Sequence, residues 1–177
     1  MGQAYELRPL TTERLSTVEA SWRASMGDDL FDSEFRPVFA YAERAIAGLV
    51  ASSSLDDSLY SELVETATGE TAGLVDLLHV QQGRQMKVLN FHFGPQLWDY
   101  QGGHGNMTGT RDAMTATLLH LLGLASSGAT MSGVKVYGRS DEHHAILTKV
   151  ASYWPNVDNT WSASMHGRWL VFQPVSR

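Results

Sequence analysis

The sequence predicts one α+β domain over residues 1–177, with about seven strands and four helices. Three observations predict it. Runs 59–66, 70–80 and 85–93 alternate apolar and polar residues, and Thr68-Gly69 and Gln82-Gly83 separate them, which is the pattern of an antiparallel meander. Two apolar stripes at helical spacing, Leu15-Val18-Trp22-Met26 and Phe35-Val38-Ala42-Ile46-Leu49, precede the meander. After it, a strand–helix–hairpin order closes the chain. No repeat, low-complexity tract or linker divides the sequence.

In order, Tyr5 to Leu10 reads as a strand with Pro9 near its end. Thr11 or Thr12 caps a first helix, with Glu13 in its first turn, and Gly27-Asp28-Asp29 ends it. A second helix is expected from about Glu34 to Val50, with Ser33 as cap and Pro37 tolerated in the first turn. Ala51 to Ser58 is Ser/Asp-rich and reads as a loop. Along the third strand of the meander, period-two alternation puts Leu89, Phe91 and Phe93 on one face and Val88, Asn90 and His92 on the other. A glycine-rich stretch, residues 100–109, leads into a helix from Thr110 to about Ala125, apolar around most of its circumference and therefore buried. Ser132 to Tyr137 is a strand. Ser140 caps a helix to Tyr153, with Asp141 and Glu142 in its first turn. Thr160 to Met165 and Arg168 to Gln173 form a hairpin around His166-Gly167.

Composition narrows the function classes. A hydrophobic content of 43% with 18% charged residues describes a folded globular chain. The net charge of −6, with no Lys/Arg cluster, argues against nucleic acid, whose binding needs basic surface to displace counterions. The absence of cysteine excludes disulfides and thiolate metal sites and leaves the redox compartment open. There is no basic flank followed by an apolar core at the N-terminus, and no membrane-spanning apolar run; the expectation is a cytoplasmic protein that does not engage membranes. His143 and His144 diverge by about 100° on a helix and cannot share a metal. Nothing in the spacing of His79, His92 and His104 brings them together, so no metal is expected.

The element order, the opening Glu6-Leu7-Arg8-Pro9-Leu10 and the frame Tyr100-Gln-Gly-Gly103-His-Gly105 together resemble the GNAT superfamily of acyl-CoA-dependent N-acyltransferases. The resemblance covers Tyr5 to Gln173. It implies a GNAT-like fold, with a twisted, mixed and mostly antiparallel sheet. It also implies transfer of an acetyl-type group from acetyl-CoA or a related acyl-CoA to an amine on a small molecule or a protein. The family motif Arg/Gln-x-x-Gly-x-Gly/Ala grips the pyrophosphate with backbone amides. Here Tyr100 stands at its first position, both glycines are kept, and a second frame, residues 106–111, matches only the middle glycine. Gly103, Gly105, Gly109 and Thr110 would supply the N–H groups at a helix N-terminus.

For the general base, the resemblance points to His92 or Asp76 on the central strands; an imidazole of ordinary pKa about 6.5 suits removal of an amine proton. The family's tyrosine acid aligns with Leu147, which has no proton to give. Tyr153 is the catalytic phenol candidate only with a displaced register, and Tyr137 is the other. Trp98 stands beside the cofactor loop, and the other tryptophans are assigned to the core. The alternative implied by these departures is a catalytically inactive GNAT-like pseudoenzyme serving as a structural or protein-binding component of a larger assembly or homo-oligomer. The expected protein-binding surface in that case is an exposed apolar patch around Phe31, Phe35 and Phe39.

Overall fold

The computed structural model describes residues 4–48, 56–80, 84–97, 107–127 and 131–175. Gly103, Gly105, His104, Trp98 and the Gln82-Gly83 turn lie outside them. Seven strands form one sheet: β1 (Tyr5–Pro9), β2 (Asp56–Glu65), β3 (Thr71–Val80), β4 (Gln85–Phe93), β5 (Gly133–Tyr137), β6 (Trp161–His166) and β7 (Trp169–Pro174). Their spatial order is β1-β2-β3-β4-β5-β7-β6, antiparallel throughout except between β4 and β5. The predicted mixed, mostly antiparallel sheet is therefore present.

Five α-helices rather than four occur among the described residues: α1 (Thr12–Met26), α2 (Asp28–Glu34), α3 (Arg36–Ile46), α4 (Met107–Ser127) and α5 (Asp141–Tyr153). Thr11 and Ser140 cap α1 and α5, accepting from the backbone N–H groups of Arg14 and His143. The added helix corrects the sequence reading. Gly27, at φ 87°, closes α1 and then opens α2, a backbone conformation that favours glycine. Asp28 and Asp29 do not break the chain; they fall in the first turn of α2, where carboxylates suit the helix dipole. Ser33 is consequently not a cap but lies inside α2, donating to the Leu30 carbonyl. The following helix starts at Arg36 with Pro37 in its first turn, as expected. The strand read as starting at Leu59 begins earlier, at Asp56.

The two faces of the sheet carry separate cores. One packs α1–α3 against Tyr60 and Leu74, with Trp22 edge-on to Phe35 and Phe39 at ring distances of 5.1 and 5.4 Å. Phe31, Phe35 and Phe39 are buried here, so they do not form the exposed patch expected for a protein-binding surface. Their density reflects three helices meeting, each helix contributing to one aromatic cluster. The other core joins α4 and α5 to Val75, Val88, Phe91, Phe93 and Phe172. The shared membership of Val88, Phe91 and Phe93 corrects the period-two reading. The β3–β4 register passes from Asp76↔Asn90 to Leu77↔Val88, so Leu89 is an extra residue, a bulge that reverses the alternation beyond it. No helix among the described residues is long and apolar enough to cross a membrane.

A buried ionic brace ties α1 to the sheet. The Glu62 carboxylate on β2 is 3% exposed and receives the Arg14 guanidinium at 2.8 Å and the Thr71 hydroxyl at 2.7 Å. The Thr71 carbonyl in turn accepts from Trp22 Nε1 and Gln96 Nε2 at 3.1 and 2.9 Å. Gly94 makes the close approach feasible, since a Cβ there would stand 2.8 Å from the Trp22 ring. The chain leaving β4 is thus clamped between α1 and β3.

Candidate active site

The feature that organises the site is where β4 and β5 part. Their parallel pairing covers Gln85–Val88 against Gly133–Val136 and stops, while β4 runs on to Phe93. The β5-facing backbone of β4 beyond the bulge has no strand partner there among the described residues. Such unpaired N–H groups are polar contacts available to a ligand.

On the side of α1–α3, β4 presents Asn90 and His92, and β3 presents Asp76 and Leu74 opposite them. Asp76 is 1% exposed. One of its oxygens, Oδ2, accepts from Asn90 Nδ2 at 2.9 Å, and Oδ1 has no hydrogen-bond partner among the described residues. Burial raises the Asp76 pKa, with the Asn90 hydrogen bond and the Arg139 charge acting the other way. Tyr60, facing Asp76 from β2, likewise buries a hydroxyl with no partner among the described residues, and burial followed by the Asp76 charge raises its pKa. Arg139, just after β5, donates to Asn90 Oδ1 at 2.6 Å. Asn90 therefore links the buried carboxylate to an exposed guanidinium across the parting strands.

His92 sits diagonally from Asp76 on the same face. Burial, then the charges of Arg139 and His143, push its pKa down to about 4. The imidazole is neutral at physiological pH and has an acceptor nitrogen. It opens onto a recess of about 160 Å³ lined by Glu34, Phe35, Val38, Phe91, Phe93 and His143. This recess lies where α2, α3, the end of β4 and the start of α5 meet.

A larger groove, about 560 Å³, runs between the first turns of α4 and the second half of α5. Thr110, Arg111, Lys149 and Tyr153 line it. Gly109 and Thr110 fall in the first turn of α4, where no carboxylate opposes an anion, and Thr110 is buried with its hydroxyl donating to the Leu97 carbonyl at 3.3 Å.

The expected site residues thus separate into groups. His92 reaches the recess, whereas Asp76 lies behind Asn90 and lines neither the recess nor the groove. Tyr153 is 62% exposed in the α4–α5 groove, away from the recess. Tyr137 packs on Trp169 at 4.9 Å, and Leu147 is core. Among the described residues, no phenol lines the recess. No group of three metal-ligating side chains occurs among the described residues. The sequence pattern marks neither Arg139, Glu34 nor Tyr60 as a site residue, and it weighs His143 only as a metal ligand. Arg139 was the most accessible of these, because a residue between a strand's end and a helix cap stands at the crevice beyond a parallel pair.

Asp76 yields a stability test. Its raised folded pKa means that folding disfavours the carboxylate; this cost is absent below the unfolded value near 3.8 and grows as pH rises through the folded pKa. Asp76→Asn is expected to stabilise the chain by about 0.5–2 kcal/mol at pH 7, with the gain vanishing near pH 3. Thermal unfolding of both proteins across this range checks the sign.

No protein-family model and no curated protein sequence matches the chain. Solved structures do. A GCN5-related N-acetyltransferase from Brucella melitensis is 12% identical, covering 99% of this chain and 76% of its own, at a TM-score of 0.56. A GNAT-family protein from Chromobacterium violaceum is 16% identical over 97% and 87% of the two chains, also at 0.56. A variant of the toxin AtaT, bound to the C-terminus of the antitoxin AtaR, is 12% identical over 96% and 93%, at 0.50. These likenesses establish a GNAT fold.

Proposed function

We propose that this GNAT-fold chain transfers an acetyl-type group from an acyl-CoA thioester to an amine. The observation that carries the reading is the parting of β4 from β5 after Val88 and Val136, with His92 on the strand that leaves. The gap suits an extended thioester arm, whose carbonyl would be polarised by the β4 N–H groups that have no strand partner among the described residues. The N-terminus of α4 and the Lys149 side chain suit the anionic phosphates of the same substrate, and Arg111, paired with Asp112 at 2.9 Å in the same groove, would turn from that carboxylate to join them. Gly109 and Thr110 are the described part of that cradle, and Gly103 and Gly105 extend it in the proposal.

The amine enters from the recess. Its nitrogen attacks the thioester carbon, the N–C bond forms and the C–S bond breaks, and neutral His92 receives the proton that nitrogen loses. The sulfur leaves as thiolate and takes a proton from water, since Leu147 occupies the position of the family's phenol. Missing one general acid costs about 10²–10⁴-fold, so turnover is expected to be slow and to rest mainly on holding the reactants together. Asp76 acts as a positioning residue: it orients Asn90 beside the gap. The buried Leu147 also favours a second reading, a non-catalytic GNAT-fold component that binds another protein.

Thermal unfolding with acetyl-CoA separates the two. At a hundred times Kd the ligand adds about 2.7 kcal/mol, a rise of roughly 5–11 °C for a chain of this size. Arg111→Glu with Lys149→Glu is expected to remove most of that rise. No rise with wild type at millimolar acetyl-CoA would leave the non-catalytic reading standing.

A further inference from the structure

We infer that the recess at the end of β4 selects a primary monoamine on a compact aromatic body, with Glu34 receiving the ammonium and the phenylalanine walls receiving the ring. The inference rests on the transfer reading for its chemistry, but the recess itself is defined by its lining. Phe35 and Val38 close it from the α2–α3 junction, and Phe91 and Phe93, whose rings stand 4.6 Å apart, close it from β4. The imidazoles of His92 and His143 complete the walls. At this distance the two rings touch each other and form one apolar wall, against which an aromatic guest can lie in edge or offset contact.

Among the described residues one carboxylate, Glu34, reaches the recess. Its neighbours on α2 are already engaged: Arg23 pairs with Asp28 and Asp32, and Arg36 pairs with Asp32. Glu34 has no cationic partner among the described residues; its contact is the Ser33 hydroxyl at 3.4 Å. An exposed, uncompensated carboxylate beside an apolar recess is a complement to one ammonium group. The same surroundings disfavour longer and more polar amines. A volume of about 160 Å³ is room for about five water molecules, enough for one small amine, and phenylalanine walls would leave the hydroxyls of an amino sugar unpaired. Among the described residues a second ammonium would meet Arg139 and His143 beside His92, not another carboxylate. The ammonium held by Glu34 first gives one proton to solvent; the free amine nitrogen then gains the acyl carbon, His92 takes the second proton, and the thiolate departs.

The test uses the full chain with acetyl-CoA and three acceptors: 2-phenylethylamine, spermidine and a lysine peptide with a blocked N-terminus. Thiol release gives the rates. Calorimetry with 2-phenylethylamine alone gives binding without chemistry. Expected is at least tenfold higher kcat/KM for 2-phenylethylamine than for either other acceptor, and at least a tenfold increase in its KM in Glu34→Gln. Val38→Trp, which fills the recess, is expected to lose calorimetric binding while keeping the thermal shift with acetyl-CoA; that retained shift also shows that it folds. Preference for spermidine or the peptide, or an unchanged KM in Glu34→Gln, overturns the assignment. If acetyl-CoA gives no shift yet 2-phenylethylamine binds and Val38→Trp abolishes it, the transfer reading fails while the amine recess stands.

Discussion

Replacing His92 with alanine is expected to slow amine acetylation by about 10–10²-fold, less than a base tuned near the operating pH contributes because burial pushes the His92 pKa down to about 4, and to leave the thermal shift with acetyl-CoA in place. The split matters because His92 lies on the acceptor side of the parted strands and not in the α4–α5 groove. The wild-type pH–rate profile carries a matching signature. With its pKa pushed down to about 4, the imidazole stays neutral through the mildly acidic range, so the acid limb assigned to it falls near pH 4 and not near 6.5. Stability follows the same group. Between about pH 4 and 6.5 the unfolded histidine binds a proton that the folded one refuses, so stability declines as pH falls through that window. The shift corresponds to roughly 3 kcal/mol at 1.36 kcal/mol per unit. His92→Ala is expected to flatten this part of the stability curve, measured by denaturant unfolding at pH 4.5 and 7. A variant that loses activity but keeps the full acid-side slope would assign the slope to other groups.

Arg14→Ala is expected to cost about 3 kcal/mol, or roughly 6–12 °C in Tm. The reason is asymmetric burial. Glu62 is 3% exposed while Arg14 is 39% exposed, so removing the arginine strands a carboxylate in the interior and returns little solvation in exchange. The exposure of Arg14 places the expectation at the lower end of the range for broken buried pairs. The Thr71 hydroxyl, which donates to Glu62, would lose the guanidinium as well. The double replacement Arg14→Met with Glu62→Met is expected to recover most of the loss, because a buried pair exchanged for apolar side chains is often neutral. Chemical denaturation of the wild type, single and double variants tests this, and a single variant within 0.5 kcal/mol of wild type would remove the brace from the account.

Much of the fold was legible because its signals are local. Thr11 and Ser140 bind backbone N–H groups within their own turns, and the apolar circumference of α4 needs no partner to be recognised as buried. The missed features depend on contacts distant in sequence. Asp28 and Asp29 look like a break until Arg23 and the buried Phe31 give α2 something to fold against. The Leu89 bulge is one residue of register with no compositional mark, yet it moves Val88 to the core of Phe91 and Phe93. Phe31, Phe35 and Phe39 read as a surface patch because one helix stripe cannot hold them, and three helices can. At the site, His92 was visible as a titratable residue on a central strand. The Arg139–Asn90 link was not, because it exists only once β4 and β5 lie side by side and part.

Amide hydrogen exchange along β4, with and without saturating acetyl-CoA, tests the central claim most directly. Added protection is expected for β4 amides between Leu89 and Phe93, together with the first turn of α4, and little change in β2 or β6. Unchanged exchange in β4 under conditions where acetyl-CoA is bound, or protection confined to another surface, would contradict the placement of the thioester between β4 and β5.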